Sequence, residues 1–131
     1  MTIDWSAAIL FERKAISSVV PSKPGVYQIT QQPAYPRYSG TTGILKIGQS
    51  RSSLKSELLN HFDRHTAANR LTRIRNRPGV EVHVRYCLAA PLEVSDLERT
   101  LLREFEDEHW DIPVLSSQRG YGRTEDSHYR S

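Results

Sequence analysis

The stretch Gly25-Val26-Tyr27-Gln28-Ile29 predicts a short β-strand, and the apolar run at residues 44–47, Ile-Leu-Lys-Ile, predicts a second one. Residues 31–42 lie between these runs, contain two prolines and a glycine, and are typical of a loop. Because strands that follow each other so closely usually pair, we expect an antiparallel pair of strands here.

Helices are predicted on both sides of this pair. Ser53 is a good N-cap for a helix in which Leu54, Leu58 and Phe62 recur every fourth residue and face the core. The neighbouring row of the same helix carries Glu57 and His61. Before the strands, the sequence predicts a helix from Asp4 through about Ala15. Its expected buried residues are Trp5, Ile9 and Leu10.

The second half of the chain predicts a helix, a strand and a long helix. Thr66 is a candidate cap for a short helix that buries Leu71 and Ile74 and ends at Pro78-Gly79. Residues 80–86 alternate between valine or tyrosine and polar residues, as in a strand with one packed face. A long helix is predicted over Glu93–Trp110. Its buried stripe is Val94, Leu97, Leu101 and Phe105.

This order of elements predicts an α+β fold, a small antiparallel three-stranded sheet flanked by helices. The chain has 131 residues, of which 37% are hydrophobic, and this length is typical of one compact domain. We expect an N-terminal helix within residues 1–20, the main domain over 21–123 and a flexible tail at 124–131.

Composition argues against several classes of protein. No apolar run reaches the roughly 20 residues of a membrane span, and the start of the chain carries Asp4 where a signal peptide has basic residues. Cys87, the single cysteine, cannot form an internal disulfide or complete a zinc knuckle. We therefore expect a cytoplasmic protein without membrane contact, structural zinc or redox chemistry.

Charge is distributed unevenly along the chain. The region 64–85 has six arginines and one carboxylate, whereas 93–111 has eight carboxylates and two arginines. This asymmetry fits a face that binds a polyanion, and it fits equally well two solvated helices of opposite charge.

Five features occur in one order along residues 24–120. They are Gly25-Val26-Tyr27; Lys46-Ile47-Gly48; Gly48-Gln49-Ser50 followed by Leu54, Leu58 and His61; Glu98 within Leu97-Glu98-Arg99; and Pro113-Val114-Leu115-Ser116-Ser117-Gln118-Arg119-Gly120. In this order they resemble the GIY-YIG nuclease superfamily. The resemblance implies an endonuclease that hydrolyses phosphodiester bonds of nucleic acids.

The resemblance also implies a role for each matching residue. Tyr27 is then the general base or the phenol that positions water, with His61 beside it. Because the pKa of a phenol is about 10, Tyr27 serves as a base only if cationic neighbours or a metal lower that pKa. Lys46 replaces the second motif's tyrosine and contacts the scissile phosphate or lowers the pKa of Tyr27. Glu98 holds a single Mg²⁺ or Mn²⁺.

Each of these residues also has a purely structural interpretation. Tyr27 fits an ordinary core aromatic, Lys46 an exposed strand lysine and His61 a half-exposed helix residue. Residues 95–98, Ser-Asp-Leu-Glu, fit a capping box in which Glu98 only bonds a backbone N–H at the helix start. A metal site of His61 and His65 lacks a third ligand.

Two positions depart from the family pattern. Glu57 stands where the family has an arginine that neutralises charge on the phosphate, and a carboxylate there repels the phosphate instead. Ser116 stands where the family usually has asparagine and keeps a shorter hydrogen-bonding side chain. We expect Glu57 to impair catalysis in this chain.

The expected partner is nucleic acid, DNA rather than RNA, bound by a monomer or a homodimer. Candidate contacts to the nucleic acid, besides Ser116, are Arg70, Arg73, Arg77 and Arg119. The alternatives are a catalytically inactive module that binds nucleic acid or a protein through the same groove, and a small interaction domain that binds no nucleic acid.

Overall fold

A computed structural model describes residues 3–63 and 68–116 of the chain. The described part contains four strands and four helices. In chain order these are β1 Ile9–Leu10, α1 Arg13–Val19, β2 Gly25–Pro36, β3 Thr41–Ser50, α2 Leu54–Asp63, α3 Ala68–Arg75, β4 Glu81–Leu88 and α4 Val94–His109. No helix of the described residues is long and apolar enough to cross a membrane.

The α+β class is confirmed, and the sheet is antiparallel as expected. It has four strands in the order β1-β4-β2-β3, so the expectation of three strands is wrong. Strands β2 and β3 pair along almost their whole length, from Gly25 opposite Ser50 to Pro36 opposite Thr41. Strand β4 pairs with the other side of β2, which places the predicted first strand in the interior of the sheet.

The extra strand comes from the N-terminal segment, where a helix over Asp4–Ala15 is predicted. That prediction is wrong, because the helix begins only at Arg13. The residues before it follow the edge of β4, and the N–H of Phe11 donates to the Val82 carbonyl at 2.9 Å. An open strand edge offers unpaired backbone groups, and bonding to them competes with helix formation. Leu10, expected to be buried, is consequently 48% exposed.

The β2–β3 hairpin is longer than the sequence predicts. Residues 31–42 are mostly strand rather than loop, with a turn at 37–40. Pro33 misled the prediction, since proline lacks the N–H that a sheet needs. It lies where pairing with β3 shifts register, between Thr30 and Tyr35, and beyond the last pair with β4 at Gln32. Its missing donor therefore interrupts no ladder bond.

The sheet is covered on both faces. Helices α1, α2 and α3 lie on one face, where Ile16, Leu54, Leu58 and Leu71 pack with the buried side chains of β2 and β4. Helix α4 covers the other face, with its predicted apolar stripe against Val26 and Ile47. The alternation predicted for β4 is confirmed, since Val82 and Val84 are buried on the α1–α3 side.

Helix starts differ in how well the sequence predicted them. The backbone N–H of Ser56 donates a hydrogen bond to the hydroxyl of Ser53 at 3.2 Å, which confirms the predicted N-cap of α2. Helix α4 begins at Val94, with Glu93 as its N-cap residue. Thr66, the predicted cap of α3, lies outside the described residues, and α3 itself buries Leu71 as expected.

Gly48 is required by the packing of a tyrosine. It pairs with Tyr27 across β2 and β3, and the phenol ring lies over its backbone. A Cβ atom at position 48 would come within 2.3 Å of the Tyr27 oxygen and 2.4 Å of Cζ. Only a glycine at position 48 leaves enough space for the Tyr27 ring. This packing explains why the second motif ends in glycine.

We expect Gly48→Ala to lower the free energy of unfolding by about 2 kcal/mol, because the added methyl group forces the buried ring to move. Gly79→Ala is the control, since a Cβ there meets nothing within 4 Å, although the φ of +77° costs about 1 kcal/mol. Urea unfolding of both variants measures the difference. A Gly48→Ala protein as stable as the wild type would contradict the packing of the phenol on Gly48.

Candidate functional site

The phenol of Tyr27 is the centre of the candidate site. Its side chain is completely buried on β2, and its hydroxyl donates a hydrogen bond to Oε2 of Glu57 at 2.8 Å. Nε2 of His61 lies 3.3 Å from the same oxygen, and the two rings meet edge to face with centroids 5.6 Å apart. Tyr27 is therefore part of a polar cluster and not only a core aromatic.

Helix α2 presents Glu57 and His61 to this phenol from successive turns. Nδ1 of His61 donates to the backbone carbonyl of Glu57 at 3.0 Å, because a carbonyl can only accept. In a neutral imidazole this leaves Nε2 as an acceptor that faces the Tyr27 oxygen. His61 is only 1% exposed, so the interpretation as a half-exposed helix histidine is wrong.

Lys46 reaches the cluster from β3. It pairs with Ile29 of β2 and is only 8% exposed, so the interpretation as an exposed strand lysine is wrong. Burial lowers the pKa of Lys46 to about 8, while the carboxylates of Glu57 and Glu98 act in the opposite direction. Because this pKa lies above 7, Lys46 keeps a positive charge at neutral pH.

Glu98 is buried on α4 with an exposed fraction of 6%. The capping-box interpretation is wrong, because Glu93 is the N-cap residue and Ser95 lies inside the helix. The negative charge of Glu98 raises the pKa values of both Tyr27 and Lys46. Of the predicted site residues, Tyr27, Glu57 and His61 are in direct contact, and Lys46 and Glu98 interact with them electrostatically.

The surroundings of Tyr27 do not activate it as a base in the chain as it stands. Burial raises the pKa of Tyr27 well above 10, and the charge of Glu57, its hydrogen bond and the charge of Glu98 raise it further. The resemblance implies the opposite, a phenol whose pKa is lowered by positive charge. The carboxylate at position 57 is one cause of the difference, because an arginine there reverses the sign of its effect.

Ser116 and Gln49 hold the site strand in place. The backbone N–H of Ile47 donates a hydrogen bond to the Ser116 hydroxyl at 3.3 Å. The backbone N–H of Leu115 donates a hydrogen bond to the Leu45 carbonyl at 2.8 Å. Leu115 and Ser116 of the predicted closing segment therefore lie along β3, beside Lys46, and the rest of that segment, 117–120, lies outside the described residues. Nε2 of Gln49 donates to Ser95 of α4 at 3.2 Å and ties β3 to the helix that carries Glu98.

Gln49 belongs to the second motif, and the sequence alone predicts no role for it. The signal that was available is its position directly after Gly48, where a side chain points to the face opposite Tyr27. That face is covered by α4. The partner of Gln49 on α4 is set by how the helix crosses the sheet, which spacing along the chain does not contain.

The predicted arginines are only partly covered by the structure. Arg70, Arg73 and Arg77 are exposed on and just after α3, as the sequence predicts. Arg119 and His65 lie outside the described residues. Arg75 differs from its neighbours, because its guanidinium lies 5.2 Å from the centroid of the Phe62 ring and is held there by a cation–π contact.

The site contains carboxylates of the kind that bind Mg²⁺, but the described residues do not form a complete set of metal ligands. Among residues 3–63 and 68–116, no group of three or more histidine, cysteine, aspartate or glutamate side chains is placed to hold a metal ion. Mg²⁺ prefers carboxylate oxygens and keeps several waters, so it needs only one or two carboxylates from the protein. Glu98 meets that requirement, and Glu57 supplies a second carboxylate in the same cluster.

Comparisons with known proteins add no further constraint. No protein-family model, curated protein or solved structure matches the chain.

We expect the stability of the protein to rise from pH 8 to about pH 9.5 because of Lys46. Its folded pKa of about 8 lies below the usual 10.5, so the unfolded chain binds more protons in this range, and raising the pH favours folding. In Lys46→Met this contribution is absent. Urea unfolding at three pH values compares the two slopes, and an equal rise in both proteins would contradict the lowered pKa.

Proposed function

We propose that the chain is a metal-dependent endonuclease of the GIY-YIG type, impaired by Glu57 at the position of the catalytic arginine. The observation that carries the proposal is the convergence of Tyr27, Lys46, His61 and Glu98 from four separate elements on one buried polar cluster. Buried charges and polar groups are costly for a small domain, and such clusters are typical of sites that do chemistry.

The chemistry that these residues offer matches the needs of phosphodiester hydrolysis. The reaction needs a positioned water, positive charge at the phosphate and stabilisation of the leaving oxygen. Lys46 supplies a cation, and Tyr27 and His61 carry a hydroxyl and an imidazole nitrogen 3.3 Å apart. Glu98 is the residue that would hold Mg²⁺ or Mn²⁺, and the ion when bound stabilises negative charge on the phosphate and the leaving oxygen.

Glu57 explains why we expect weak activity. Its carboxylate accepts the hydrogen bond that the phenol donates. This hydrogen bond and the negative charge of Glu57 keep the proton on Tyr27. Glu57 also places negative charge where a phosphate must approach, and each unit of like charge in a partly buried site weakens anion binding. An arginine at the same position would reverse both effects.

We expect Glu57→Arg to raise the rate of Mg²⁺-dependent DNA nicking by at least tenfold, since it removes the repulsion and lowers the pKa of Tyr27. Glu57→Gln is the matched control, because it removes the negative charge without adding a positive one, and it should recover only part of the rate. The measurement is nicking of plasmid and cleavage of labelled single-stranded DNA with and without Mg²⁺. Adding Glu98→Ala to the arginine variant should abolish the gain.

The proposal fails if Glu57→Arg folds normally, binds DNA and still does not cleave it. If the increase in nicking rate persists after Glu98→Ala is added to Glu57→Arg, the chain is an endonuclease but Glu98 does not hold the metal. Ultraviolet titration of the tyrosines checks the cause, because the pKa of Tyr27 should fall in Glu57→Arg relative to the wild type.

The second candidate is a catalytically inactive module that binds nucleic acid. The raised pKa of Tyr27 favours it, because a phenol that keeps its proton does not act as a base. The exposed arginines of the α3 region, Arg70, Arg73 and Arg77, supply the positive charge for binding in either case. Binding with no cleavage by both the wild type and Glu57→Arg is the result that favours this candidate.

We expect the triple variant Arg70→Ala, Arg73→Ala, Arg77→Ala to bind DNA more weakly and with less dependence on salt. Removing three phosphate contacts should reduce the slope of log K against log salt concentration by about 2 to 3. Arg103→Ala, an exposed arginine on the acidic α4, is the control and should leave the slope unchanged. An unchanged slope in the triple variant would exclude the α3 arginines as contacts to the backbone.

A further inference from the structure

Two exposed aromatic rings lie side by side at one end of the molecule. Tyr38, in the turn between β2 and β3, is 81% exposed, and Trp110, directly after α4, is 66% exposed. Their ring centroids are 5.4 Å apart with an interplanar angle of 35°. We call this pair the aromatic platform. Burial does not account for it, because most of the surface of both rings remains in water.

The backbone conformation of Trp110 is a second sign that the fold itself does not require a tryptophan at this position. Trp110 ends α4 with φ of 64° and ψ of 21°, the left-handed conformation in which helices usually end on glycine or asparagine. Among the described residues, it is the only non-glycine with a positive φ. A large aromatic residue is strained there, and such outliers mark positions whose side chain serves a function.

The platform is held rigidly although its rings come from two elements. Arg37 donates to the Asp111 carboxylate and to the Ile112 carbonyl, both at 2.7 Å, and so fastens the turn to the segment after α4. Nδ1 of His109 donates to the Ser39 carbonyl at 2.7 Å, and the N–H of Ser39 donates to the His109 carbonyl at 3.3 Å. A platform fixed in this way loses little conformational entropy when a flat ligand stacks on it.

The platform lies next to the ends of two of the four elements that carry the site, β3 and α4. Glu98 and Trp110 are twelve residues apart on α4, which corresponds to about 18 Å along the helix. Lys46 is five residues along β3 from Thr41, where the strand leaves the turn, which corresponds to about 17 Å. At about 3.4 Å per nucleotide in a stacked strand, this distance corresponds to about five nucleotides, and to fewer in an extended strand.

We propose that Tyr38 and Trp110 stack on an unpaired base of a single-stranded DNA segment a few nucleotides from the phosphate at Lys46. Flat aromatic rings bind bases regardless of sequence, because every base has a π-face. A duplex keeps its bases stacked on each other, so the platform favours single-stranded over double-stranded DNA. The identity of the ligand as nucleic acid rests on the proposed function, and the test by binding does not require cleavage.

The experiment uses the full chain with Trp5→Phe, which leaves Trp110 as the remaining tryptophan of the two in the sequence. The probe is a 12-nucleotide single strand of mixed sequence, and the comparison is the same strand with abasic sites that keep every phosphate. We expect the intact strand to quench Trp110 fluorescence and the abasic strand to bind about tenfold more weakly without quenching. A duplex of the same sequence should show no quenching.

Variants separate a role in binding from a role in folding. Trp110→Gly should keep or raise the stability of the fold, because glycine suits the left-handed backbone, and should weaken single-strand binding about tenfold. Tyr38→Ala should weaken binding similarly, and Trp110→Phe should retain most of it. Leu92→Ala removes a side chain that is 87% exposed elsewhere on the surface, and it should leave binding unchanged.

Two results would overturn the proposal. Equal affinity for intact and abasic strands would show that phosphates alone carry the binding. Unchanged single-strand affinity in Trp110→Gly would show that the ring is not used. Failure of the endonuclease proposal looks different, because Glu57→Arg would then lack cleavage while the base-dependent quenching of Trp110 remained.

Discussion

The hydrogen bond from the Tyr27 phenol to Glu57 is the interaction on which the site depends. The phenol that makes it packs against Gly48, where any Cβ would collide with the ring. The hydrogen bond joins β2 to α2, and the hydroxyl lies 3.3 Å from Nε2 of His61. A small change at any of these positions would move the phenol away from the other polar groups.

The cluster around this bond carries an unusual amount of buried charge for a domain of this size. Lys46 and Glu98 are both buried, and the desolvation of a charge is repaid only by close partners of opposite sign. Burial raises the pKa of Tyr27 and lowers that of Lys46, whereas the charges of Glu57 and Glu98 raise both pKa values. This electrostatic balance is the reason for which we propose weak activity in this chain.

The aromatic platform and the buried cluster share β3 and α4 as a rigid frame. Tertiary contacts fix the distance between them, since the turn after β2 is bonded to the residues after α4. A nucleic-acid strand that reaches both would be held by base stacking at one end and by positive charge at the other. Stacking and charge respond differently to salt, so their contributions can be told apart in solution.

Much of this fold could be predicted from local pattern, because its signals are local. Three predictions that depend on a few neighbouring residues are confirmed. They are the alternation of valines in β4, the N-cap Ser53 of α2 and the apolar stripe of α4. Failures occurred where a distant partner decided the outcome. The N-terminal segment is extended because the edge of β4 offers it hydrogen bonds, and Pro33 is tolerated because the strand pairing is interrupted there.

The sequence by itself determined which residue types are present and the spacing of Glu57 and His61 on one helix face. Only the tertiary structure decided that Lys46 and Glu98 lie in one buried cluster with Tyr27, and that this environment raises the pKa of the phenol. It also brought Tyr38 and Trp110 together across a long stretch of chain. The reason is physical: electrostatic and stacking energies depend on distance and burial in space, which a linear order of residues does not contain.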